Sequence, residues 1–214
     1  TKESRMKECK IRIASAQDAE RLLKIYVPYV EKTAITFEYE VPTVAEFENR
    51  ISRILERYPY LAAERDGELV GYAYAGPFKE RAAYDWAVET TVYVRKDQKR
   101  TGIGRELYEM LEKILSMQNI LNVNACIAYT EKEDEWLTQD SVRFHERLGY
   151  KPTGRFHKCG YKSGKWYDMI WMEKMLGEHG DDPEEVRAFP EIRELAEEQF
   201  GLGDRSNDTR SEKR

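Results

Sequence analysis

Hydrophobic residues recur along this chain with two spacings, one typical of helices and one typical of strands. The helical spacing predicts helices at residues 15–32 and 43–58, a helix opened by Gly102, and shorter helices at 141–150 and 190–200. Strand-like runs occupy residues 10–14, 60–76, 86–94, 121–129 and 150–176. The order is one strand, two helices, three strands, helix, strand, helix and two strands. We therefore predict an α+β fold with mixed α/β layers.

Short-range signals sharpen three of these elements. Thr43 and Glu46 have the spacing of a capping box at the start of the second helix. Pro28 falls inside the first helix, where we expect a kink. The dipeptide Asp66-Gly67 between two strand-like runs predicts a tight hairpin turn.

A single domain accounts for most of the chain. Residues 10–176 carry the predicted sheet and follow an N-terminal extension at residues 1–9. Past Leu176 the sequence becomes acidic, and residues 190–200 then place apolar side chains on one helical face, which docks on the domain or on a neighbour. We therefore interpret residues 177–214 as a linker, a short amphipathic helix and a flexible tail.

Composition indicates a soluble globular protein. Hydrophobic residues make up 41% of the 214 positions and charged residues 35%. No apolar run is long enough to cross a bilayer, so we expect a cytoplasmic protein without a membrane partner. The net charge of -5 supplies no general positive field for a polyphosphate backbone, so nucleic acid is not an expected partner.

The thiols and imidazoles offer no metal-binding pattern. Cys9, Cys126 and Cys159 are widely spaced, and we interpret them as reduced, buried small hydrophobes. The histidines lie at positions 145, 157 and 179, without the spacing of ligands on one helix. We therefore predict that the protein holds no metal.

The strand at residues 86–94 carries a carboxylate among valines. Alternation places Val88, Thr90 and the two later valines on one face, and Glu89 with Thr91 and Tyr93 on the other. Burying an unpaired carboxylate is costly, which favours a functional role for Glu89. The alternative is an exposed or ion-paired strand residue.

A basic, glycine-containing turn follows that strand. It reads KDQKRTGIGR over residues 96–105 and opens the helix at Gly102. Free backbone N–H groups at a helix N-terminus bind phosphate oxygens, and Gly102 and Gly104 allow the main chain to approach an anion closely. Alone, such a glycine often marks only a turn.

The combination of these segments resembles the GNAT acetyltransferase superfamily, whose phosphate loop reads Arg/Gln-x-x-Gly-x-Gly/Ala. Four stretches are similar to its phosphinothricin and methionine sulfone or sulfoximine acetyltransferase group: residues 57–94, GIGRELY, SVRFHERLGY and GYKSGKWYDMIWME. The resemblance covers residues 10–175. It implies the GNAT acyl-CoA N-acyltransferase fold, with a central mixed, mostly antiparallel sheet flanked by helices.

Two positions depart from the family's pattern. Lys99 stands where the phosphate loop usually begins with Arg or Gln, which keeps the charge but loses a planar, bidentate donor. The segment EKEDEWLTQDSV is longer than expected, and Thr138 occupies the position where an Asn usually precedes the helix.

The resemblance implies acetyl transfer from acetyl-CoA to a primary amine in one ternary complex. Pantetheine is expected along the strand at Val92, Tyr93 and Val94. The resemblance implies that Arg147 and six loop residues bind the pyrophosphate. The loop residues are Arg100, Thr101, Gly102, Ile103, Gly104 and Arg105.

Roles in the chemistry follow from what such a transfer requires. An amine attacks only when neutral, so it needs a base, for which Glu89 is the candidate. The main-chain N–H of Tyr93 or of a neighbour is placed to stabilise the negative charge that develops on a carbonyl oxygen. Tyr108 and His145 are the candidates for protonating the leaving thiolate. Core packing is the competing interpretation of both.

The resemblance also assigns the acceptor site. It places six residues against an amino-acid-like substrate: Phe37, Lys79, Arg81, Tyr84, Thr90 and Thr91. Lys79 and Arg81 match an anionic group of that acceptor, although solvated loop charges are the commoner situation. Tyr161 or Trp166 is a further candidate for the pocket wall.

Three functional hypotheses remain open. The first is an N-acetyltransferase for phosphinothricin-like or methionine sulfone-like amino acids. The second is the same chemistry on a polyamine, an antibiotic amine or a protein N-terminus, which a cationic pocket disfavours. The third is an acyl-CoA-binding sensor without catalysis. Family members are commonly homodimers, so a homodimer is expected.

Overall fold

The computed structural model describes residues 8–203, so the predictions for residues 1–7 and for most of the tail lie outside the described residues. Seven strands are present: β1 (Lys10–Ile13), β2 (Tyr60–Arg65), β3 (Glu68–Pro77), β4 (Ala87–Val94), β5 (Asn122–Tyr129), β6 (Lys151–Lys162) and β7 (Lys165–Met175). Five α-helices accompany them: α1 (Ala19–Lys32), α2 (Val44–Leu55), α3 (Ile103–Met117), α4 (Asp140–Arg147) and α5 (Phe189–Phe200). The predicted order of elements is confirmed.

The strands form one mixed sheet in the order β1-β2-β3-β4-β5-β7-β6. Every neighbouring pair is antiparallel except β4 and β5, which are parallel. This arrangement confirms the predicted α+β fold with a mostly antiparallel central sheet. The parallel pair is the feature that creates the candidate site.

The capping box and the hairpin turn are confirmed, and the kink at Pro28 stays a prediction. Thr43 N–H donates to the Glu46 carboxylate at 2.8 Å, and Glu46 N–H donates to the Thr43 hydroxyl at 3.1 Å. Asp66 and Gly67 adopt φ of 56° and 80°, as a tight hairpin turn requires. The first helix begins only at Ala19, after a single 3₁₀ turn, and continues through Pro28 to Lys32.

Helices cover both faces of the sheet. On one face, α1 and α2 pack against a layer that includes the stacked rings of Tyr60 and Tyr72, 5.9 Å apart between centroids. On the other face, α3 packs against Val88 and Val123. The predicted alternation along β4 is confirmed, because Val88 belongs to the α3 side whereas Tyr93 lies against α1.

The C-terminal segment packs against the sheet domain. Phe189 and Ile192 of α5 are each 1% exposed and belong to the same core as α3. The acidic stretch before α5 is held by hydrogen bonds, including Gln118 Nε2 to the Arg187 carbonyl at 2.8 Å and Trp86 Nε1 to the Glu184 carbonyl at 2.8 Å. The compositional boundary at Leu176 therefore does not separate the helix from the domain.

Among residues 8–203 no helix is long and apolar enough to span a bilayer. The helices are amphipathic, and each places its apolar side chains against the sheet or against another helix.

Candidate active site

The candidate site is a cleft where the two parallel strands diverge. β4 and β5 pair only from Ala87 with Asn122 to Glu89 with Asn124. Beyond that point they separate, and the gap opens beside the N-terminal parts of α3 and α4. Residues of both strands and of the segments around the gap line the cleft: Ile35, Thr90, Thr91, Val92, Tyr93, Tyr108, Ala125, Cys126, Ile127, Ala128, Leu137, Ser141 and His145.

Hydrogen-bond alternation determines which β4 amides face this cleft. Arg95 N–H donates to the Val70 carbonyl at 2.8 Å across the antiparallel pair with β3. Because bonded pairs alternate, Tyr93 also directs its N–H and C=O toward β3, whereas Val92 and Val94 direct theirs toward the cleft. The Tyr93 amide is thus unsuited to the predicted role of stabilising a carbonyl oxygen, and the amides of Val92 and Val94 are suited to it.

Glu89 lies at the last paired position before the strands separate. Its side chain is half-buried, and within residues 8–203 its carboxylate makes no hydrogen bond or close ion pair. Burial raises the pKa of Glu89, and the nearby Lys79 ammonium opposes that shift. The carboxylate therefore has the properties of a base that accepts a proton readily.

Cys126 lies on β5 close enough to Glu89 for the two groups to interact electrostatically. The residue is exposed, yet partial desolvation by the surrounding protein, followed by the Glu89 charge, raises the pKa of the thiol to about 12. The thiol therefore stays protonated and unreactive at neutral pH. The prediction of three buried cysteines is wrong, because Cys126 and Cys159 are exposed and Cys9 is partly exposed.

The loop between β3 and β4 brings the Lys79 ammonium close to Glu89. Lys79 Nζ lies 5.4 Å from the ring centroid of Phe78 and 5.9 Å from that of Trp171. The exposed Tyr84 packs edge-on against Phe78, with centroids 5.9 Å apart. Arg81 is exposed at the start of a single 3₁₀ turn in the same loop. The structure thus brings Lys79 near Glu89, while Arg81 projects from the loop.

The segment between α1 and α2 contributes Ile35 to the cleft lining, and its following residues pack on the hairpin of β6 and β7. The ring of Phe37 packs directly over Gly160 in β6, where any side chain would collide with it. Tyr39 donates a hydrogen bond to the Tyr161 carbonyl, which joins this segment to the hairpin of β6 and β7. Tyr161 and Trp166 pack together with ring centroids 5.1 Å apart, and both are exposed.

Tyr108 and His145 form a buried pair on the opposite face of β4 from Glu89. The Tyr108 hydroxyl lies 3.1 Å from His145 Nε2, and His145 Nδ1 lies 2.7 Å from the Ser141 carbonyl. A carbonyl only accepts, so Nδ1 carries the proton and Nε2 accepts from Tyr108. Burial lowers the pKa of His145 to about 4, so the imidazole is neutral at physiological pH.

Thr90 was predicted to contact substrate, but its side chain is occupied elsewhere. It is buried on the α3 side of β4, with its hydroxyl 2.9 Å from the Tyr150 hydroxyl. Thr91 lies on the Glu89 side, where its side chain meets that of the partly buried Tyr74. Both threonines line the cleft, but only Thr91 shares the face of β4 that carries Glu89.

The predicted phosphate-binding turn precedes α3. Gly102 has φ of 89°, a conformation that glycine adopts without strain, and it begins the helix. Arg100 and Arg105 are exposed, and the Thr101 hydroxyl donates to the Gln98 carbonyl at 2.7 Å. The amides of this turn and the first turn of α3 are the donors available to an anion.

Gly104 also has a packing role. A Cβ at this position would lie 3.1 Å from the ring of Phe144. The absence of a side chain therefore allows α3 to pack closely on α4, and its predicted contact with an anion stays a prediction.

The segment before α4 is longer than expected, yet it is well ordered by hydrogen bonds. Asp134 accepts from the N–H groups of Trp136 and Leu137, both at 2.8 Å. Gln139 Nε2 donates to the Thr130 carbonyl at 3.0 Å. Thr138 caps locally, because its hydroxyl accepts from Asp140 N–H at 3.3 Å. Arg147 is exposed at the last position of α4, distant in sequence from the turn that precedes α3.

Sequence reasoning missed two groups at this site. Cys126 was interpreted as a buried residue, although it is exposed and lines the cleft. Only the alternation of side chains along β5 could have indicated this from the sequence. Tyr29 on α1 was not singled out at all, although its hydroxyl donates to the Val94 carbonyl at the end of β4. Within the described part of the chain, no group of three or more potential ligands is arranged for a metal.

Comparison of this chain with known proteins identifies its family. Residues 11–171 match the family described as "Acetyltransferase (GNAT) domain". The chain belongs to the GNAT acetyltransferase family. It is 40% identical over 164 residues to the phosphinothricin N-acetyltransferase of Streptomyces viridochromogenes, covering 77% of this chain and 86% of that protein. It is 28% identical to the L-methionine sulfoximine/L-methionine sulfone acetyltransferase of Salmonella typhimurium, covering 79% and 95%.

Solved GNAT structures extend the similarity to the fold. A phosphinothricin acetyltransferase from Sinorhizobium meliloti in complex with acetyl-CoA superimposes with a TM-score of 0.76 at 30% identity, covering 85% of this chain and 96% of that one. A putative acetyltransferase from Salmonella typhimurium with its cofactor acetyl-CoA gives 0.74 at 27% identity, covering 82% and 98%. This GNAT protein is therefore an acetyl-CoA-dependent N-acetyltransferase.

The residues of the chain fit that cosubstrate. The edge of β4 at Val92 and Val94 is not paired with β5, so an extended amide-containing arm can add hydrogen bonds there beside the one that the Val94 carbonyl accepts from Tyr29. The turn around Gly102 presents amides at the N-terminus of a 15-residue helix, where phosphate oxygens bind favourably. The two features adjoin in sequence, since β4 ends eight residues before Gly102.

Proposed function

We propose that this protein acetylates the amine of a small amino-acid-like acceptor of the phosphinothricin or methionine sulfoximine type. The observation that carries the proposal is the position of Glu89, which is half-buried and makes no hydrogen bond among residues 8–203, at the point where β4 and β5 separate and with Lys79 nearby. The names of the relatives support the acceptor class.

Glu89 has the role of base in this proposal. Acetyl-CoA supplies an activated thioester, but an ammonium acceptor lacks the lone pair needed to react with it. Because burial raises the pKa of Glu89, its carboxylate takes a proton from the acceptor more readily than an exposed glutamate does. The proton passes directly or through one water.

The backbone of β4 has the role of hydrogen-bond donor. The amides of Val92 and Val94 point toward the cleft and are fixed by the ladder between β3 and β4 on the opposite edge. Donors fixed in this way stabilise developing negative charge on a carbonyl oxygen without having to reorient during the reaction. The ring of Tyr93 helps to fix β4 against α1, because it packs on the ring of Tyr29 with the two centroids 5.0 Å apart.

Tyr108 has the role of proton donor to the leaving sulfur, and His145 positions it. Burial keeps the pKa of Tyr108 well above its ordinary value, so the phenol retains its proton until a strong base appears. His145 Nε2 accepts from that phenol and has no proton of its own to give. In this proposal His145 fixes the orientation of Tyr108, and the Thr90 and Tyr150 hydroxyls complete the polar surroundings.

The loop between β3 and β4 recognises the anionic part of the acceptor. Lys79 lies near Glu89, and Arg81 and Tyr84 of the same loop are exposed. A carboxylate or phosphinate oxygen binds such donors favourably, whereas a polyamine is repelled by cations. In this proposal Phe37 supplies an apolar wall.

The test measures thiol release from acetyl-CoA with five acceptors: phosphinothricin, methionine sulfoximine, methionine sulfone, spermidine and a short peptide. We expect one of the three amino acids to give the highest kcat/KM. Lys79→Met is the matched variant, and it should raise KM for that acceptor while leaving KM for acetyl-CoA unchanged. Fastest turnover of spermidine or the peptide would contradict the acceptor class.

Binding of acetyl-CoA without thiol release for any amine would instead support a sensor. Calorimetric titration with CoA, run on the same preparation, separates this outcome from an inactive or unfolded sample. If the protein is a sensor, Glu89→Gln should leave both thiol release and CoA affinity unchanged.

We further propose a cytoplasmic homodimer. Three free cysteines at positions 9, 126 and 159 fit a reducing compartment. The hairpin of β6 and β7 exposes Phe156, Tyr161 and Trp166, a surface suited to contact with a second copy. Light scattering at several concentrations tests the assembly, and Trp166→Arg should shift a dimer toward monomer. A monomer at all concentrations would contradict this part of the proposal.

A further inference from the structure

Tyr29 connects the end of β4 to the basic turn that follows it. The residue is 3% exposed on α1, and its hydroxyl donates to the Val94 carbonyl. Val94 is the last residue of β4, and its carbonyl belongs to the strand edge that faces the cleft. The turn at residues 95–102 begins immediately afterwards, so Tyr29 contacts the chain where the strand edge ends and the turn starts.

The ring of Tyr29 also holds two lysines of that turn. Lys96 Nζ lies 5.5 Å from the ring centroid and Lys99 Nζ lies 5.3 Å from it. Ammonium groups within about 6 Å of a ring centroid are attracted by the negative face of the ring. Neither lysine has a carboxylate within 4 Å among residues 8–203, so the ring is their principal close partner there.

The two lysines are held close to other positive charges. Burial is the main cause that lowers the pKa of both groups, and the Lys32 charge adds to it for Lys96, as does the Lys96 charge for Lys99. Asp140 acts on Lys99 in the opposite direction. Lys96, Lys99 and Arg100 thus gather positive charge that Asp140, 3.7 Å from the Arg100 guanidinium, offsets in part, and such a site gains stability when an anion binds.

We propose that Tyr29 is a positioning residue of the acetyl-CoA site, whose ring holds Lys96 and Lys99 toward the phosphates while its hydroxyl fixes the end of β4. This inference rests on the proposed use of acetyl-CoA and adds a residue from α1 to that site. Lysine is a flexible point charge, whereas the Arg or Gln expected at position 99 is planar. The ring limits the freedom of the Lys99 ammonium and so compensates for the substitution.

The test compares CoA binding by calorimetry in 0.05 M and 1 M NaCl for the wild type, Tyr29→Phe and Tyr29→Leu. At low salt we expect Tyr29→Leu to weaken binding roughly 5- to 10-fold, because two cation–π contacts are lost. At high salt, where screening removes the contribution of the lysines, the difference should fall below about 2-fold. Tyr29→Phe keeps the ring and should retain the salt-dependent part of the affinity.

Tyr60→Leu is the matched control, because it removes a buried tyrosine of the same layer that contacts neither lysine. It should leave the salt dependence unchanged. An equal loss for Tyr29→Leu at both salt concentrations would reduce Tyr29 to a packing residue and overturn the proposal.

Lys99→Met provides a second measurement if Tyr29→Leu does not fold. Its side chain lies at the surface, and the proposal requires a salt-dependent loss of CoA affinity of about 3- to 10-fold. An unchanged affinity for Lys99→Met would also overturn the proposal. Because CoA binding needs no turnover, these results are independent of which amine is acetylated.

Discussion

At the scale of single residues, the site separates a base from a proton donor by placing them on opposite faces of one strand. Glu89 lies on the α1 side of β4, whereas Tyr108 and His145 lie on the α3 side. The cleft between β4 and β5 opens next to Glu89, where the pairing of these two described strands ends. The acceptor amine can therefore lose a proton to Glu89 on one face of β4, while the leaving sulfur receives one from Tyr108 on the other face.

Glu89→Gln should reduce kcat by about 10²- to 10⁴-fold near neutral pH, the usual contribution of a general base. In the wild type, kcat should rise with pH through a pKa above the ordinary glutamate value, because burial raises the pKa of Glu89. The variant should lose that rise. A pH series of kcat with the best acceptor checks both points.

The same variant should not lose stability. A carboxyl whose folded pKa is raised destabilises the fold once pH exceeds its unfolded pKa, since the native state favours the protonated form. Glu89→Gln removes that effect, so its thermal midpoint at pH 7 should equal or exceed that of the wild type. A lower midpoint together with lost activity would indicate a structural role for Glu89.

His145 and Tyr108 give a second pair of predictions. Gln at position 145 can still accept from the Tyr108 hydroxyl, so His145→Gln should retain more of kcat than His145→Ala or Tyr108→Phe. If His145 were itself the proton donor, His145→Gln and His145→Ala would be equally impaired. Steady-state kinetics on the three variants distinguishes these roles.

His145 also predicts how stability depends on pH. Its folded pKa of about 4 lies below the unfolded value of 6.5, so stability is complete above pH 6.5 and is lost as pH falls toward 4. The full loss amounts to about 3 kcal/mol. Urea unfolding at pH 7 and pH 4.5 should show a smaller difference for His145→Gln than for the wild type.

At the scale of elements, the turn before α3 shows how backbone conformation creates a binding site. Gly102 has φ of 89° and begins α3, so it directs the free amides of the first helical turn outward. The turn requires glycine at this position for its positive φ. Space is not the reason, because a Cβ there would meet only the flexible end of Glu106, at 3.9 Å.

Gly102→Ala should therefore raise KM for acetyl-CoA several-fold, because the strained turn rearranges and misdirects its amides. Gly67→Ala is the matched control, since Gly67 also has a positive φ, of 80°, and an open environment in the β2–β3 turn. Both variants should cost about 1 to 2 kcal/mol of stability. If KM changed equally in both, the effect would come from stability alone.

At the scale of the whole molecule, α5 completes the core. Ile192 is 1% exposed and lies in the cluster formed with α3, whereas Leu195 on the same helix is 51% exposed. Ile192→Ala should lower the free energy of unfolding by about 2 to 5 kcal/mol. Leu195→Ala should change it by less than about 0.5 kcal/mol, apart from its effect on any partner. Chemical unfolding followed by circular dichroism measures both.

Much of the fold could be predicted from the sequence because its signals are local. The capping pair Thr43 and Glu46, the Asp66-Gly67 turn and the periodicity of α1 to α5 each depend on residues a few positions apart. Gly104 shows the limit of such reasoning. The sequence indicated an anion site there, but it could not show that this glycine also makes room for Phe144, which lies forty residues later in the chain.

The candidate site was less predictable, because its geometry depends on pairings between distant strands. Alternation alone places Thr90 and Glu89 on opposite faces of β4, but only the fold shows that Thr90 bonds to Tyr150 while Glu89 lies at the last paired position before β4 and β5 separate. The register with β3 decides that the Val92 and Val94 amides, and not that of Tyr93, face the gap.

The sequence by itself determined the helices, the strands, the family and the carboxylate at position 89, because periodicity, turn chemistry and motif spacing are properties of neighbouring residues. Tertiary structure decided where β4 and β5 separate, that His145 is buried and neutral, that Tyr29 reaches Lys96 and Lys99, and that α5 docks on its own domain. These features depend on contacts between residues distant in sequence, and burial and charge at each site exist only once those residues have come together.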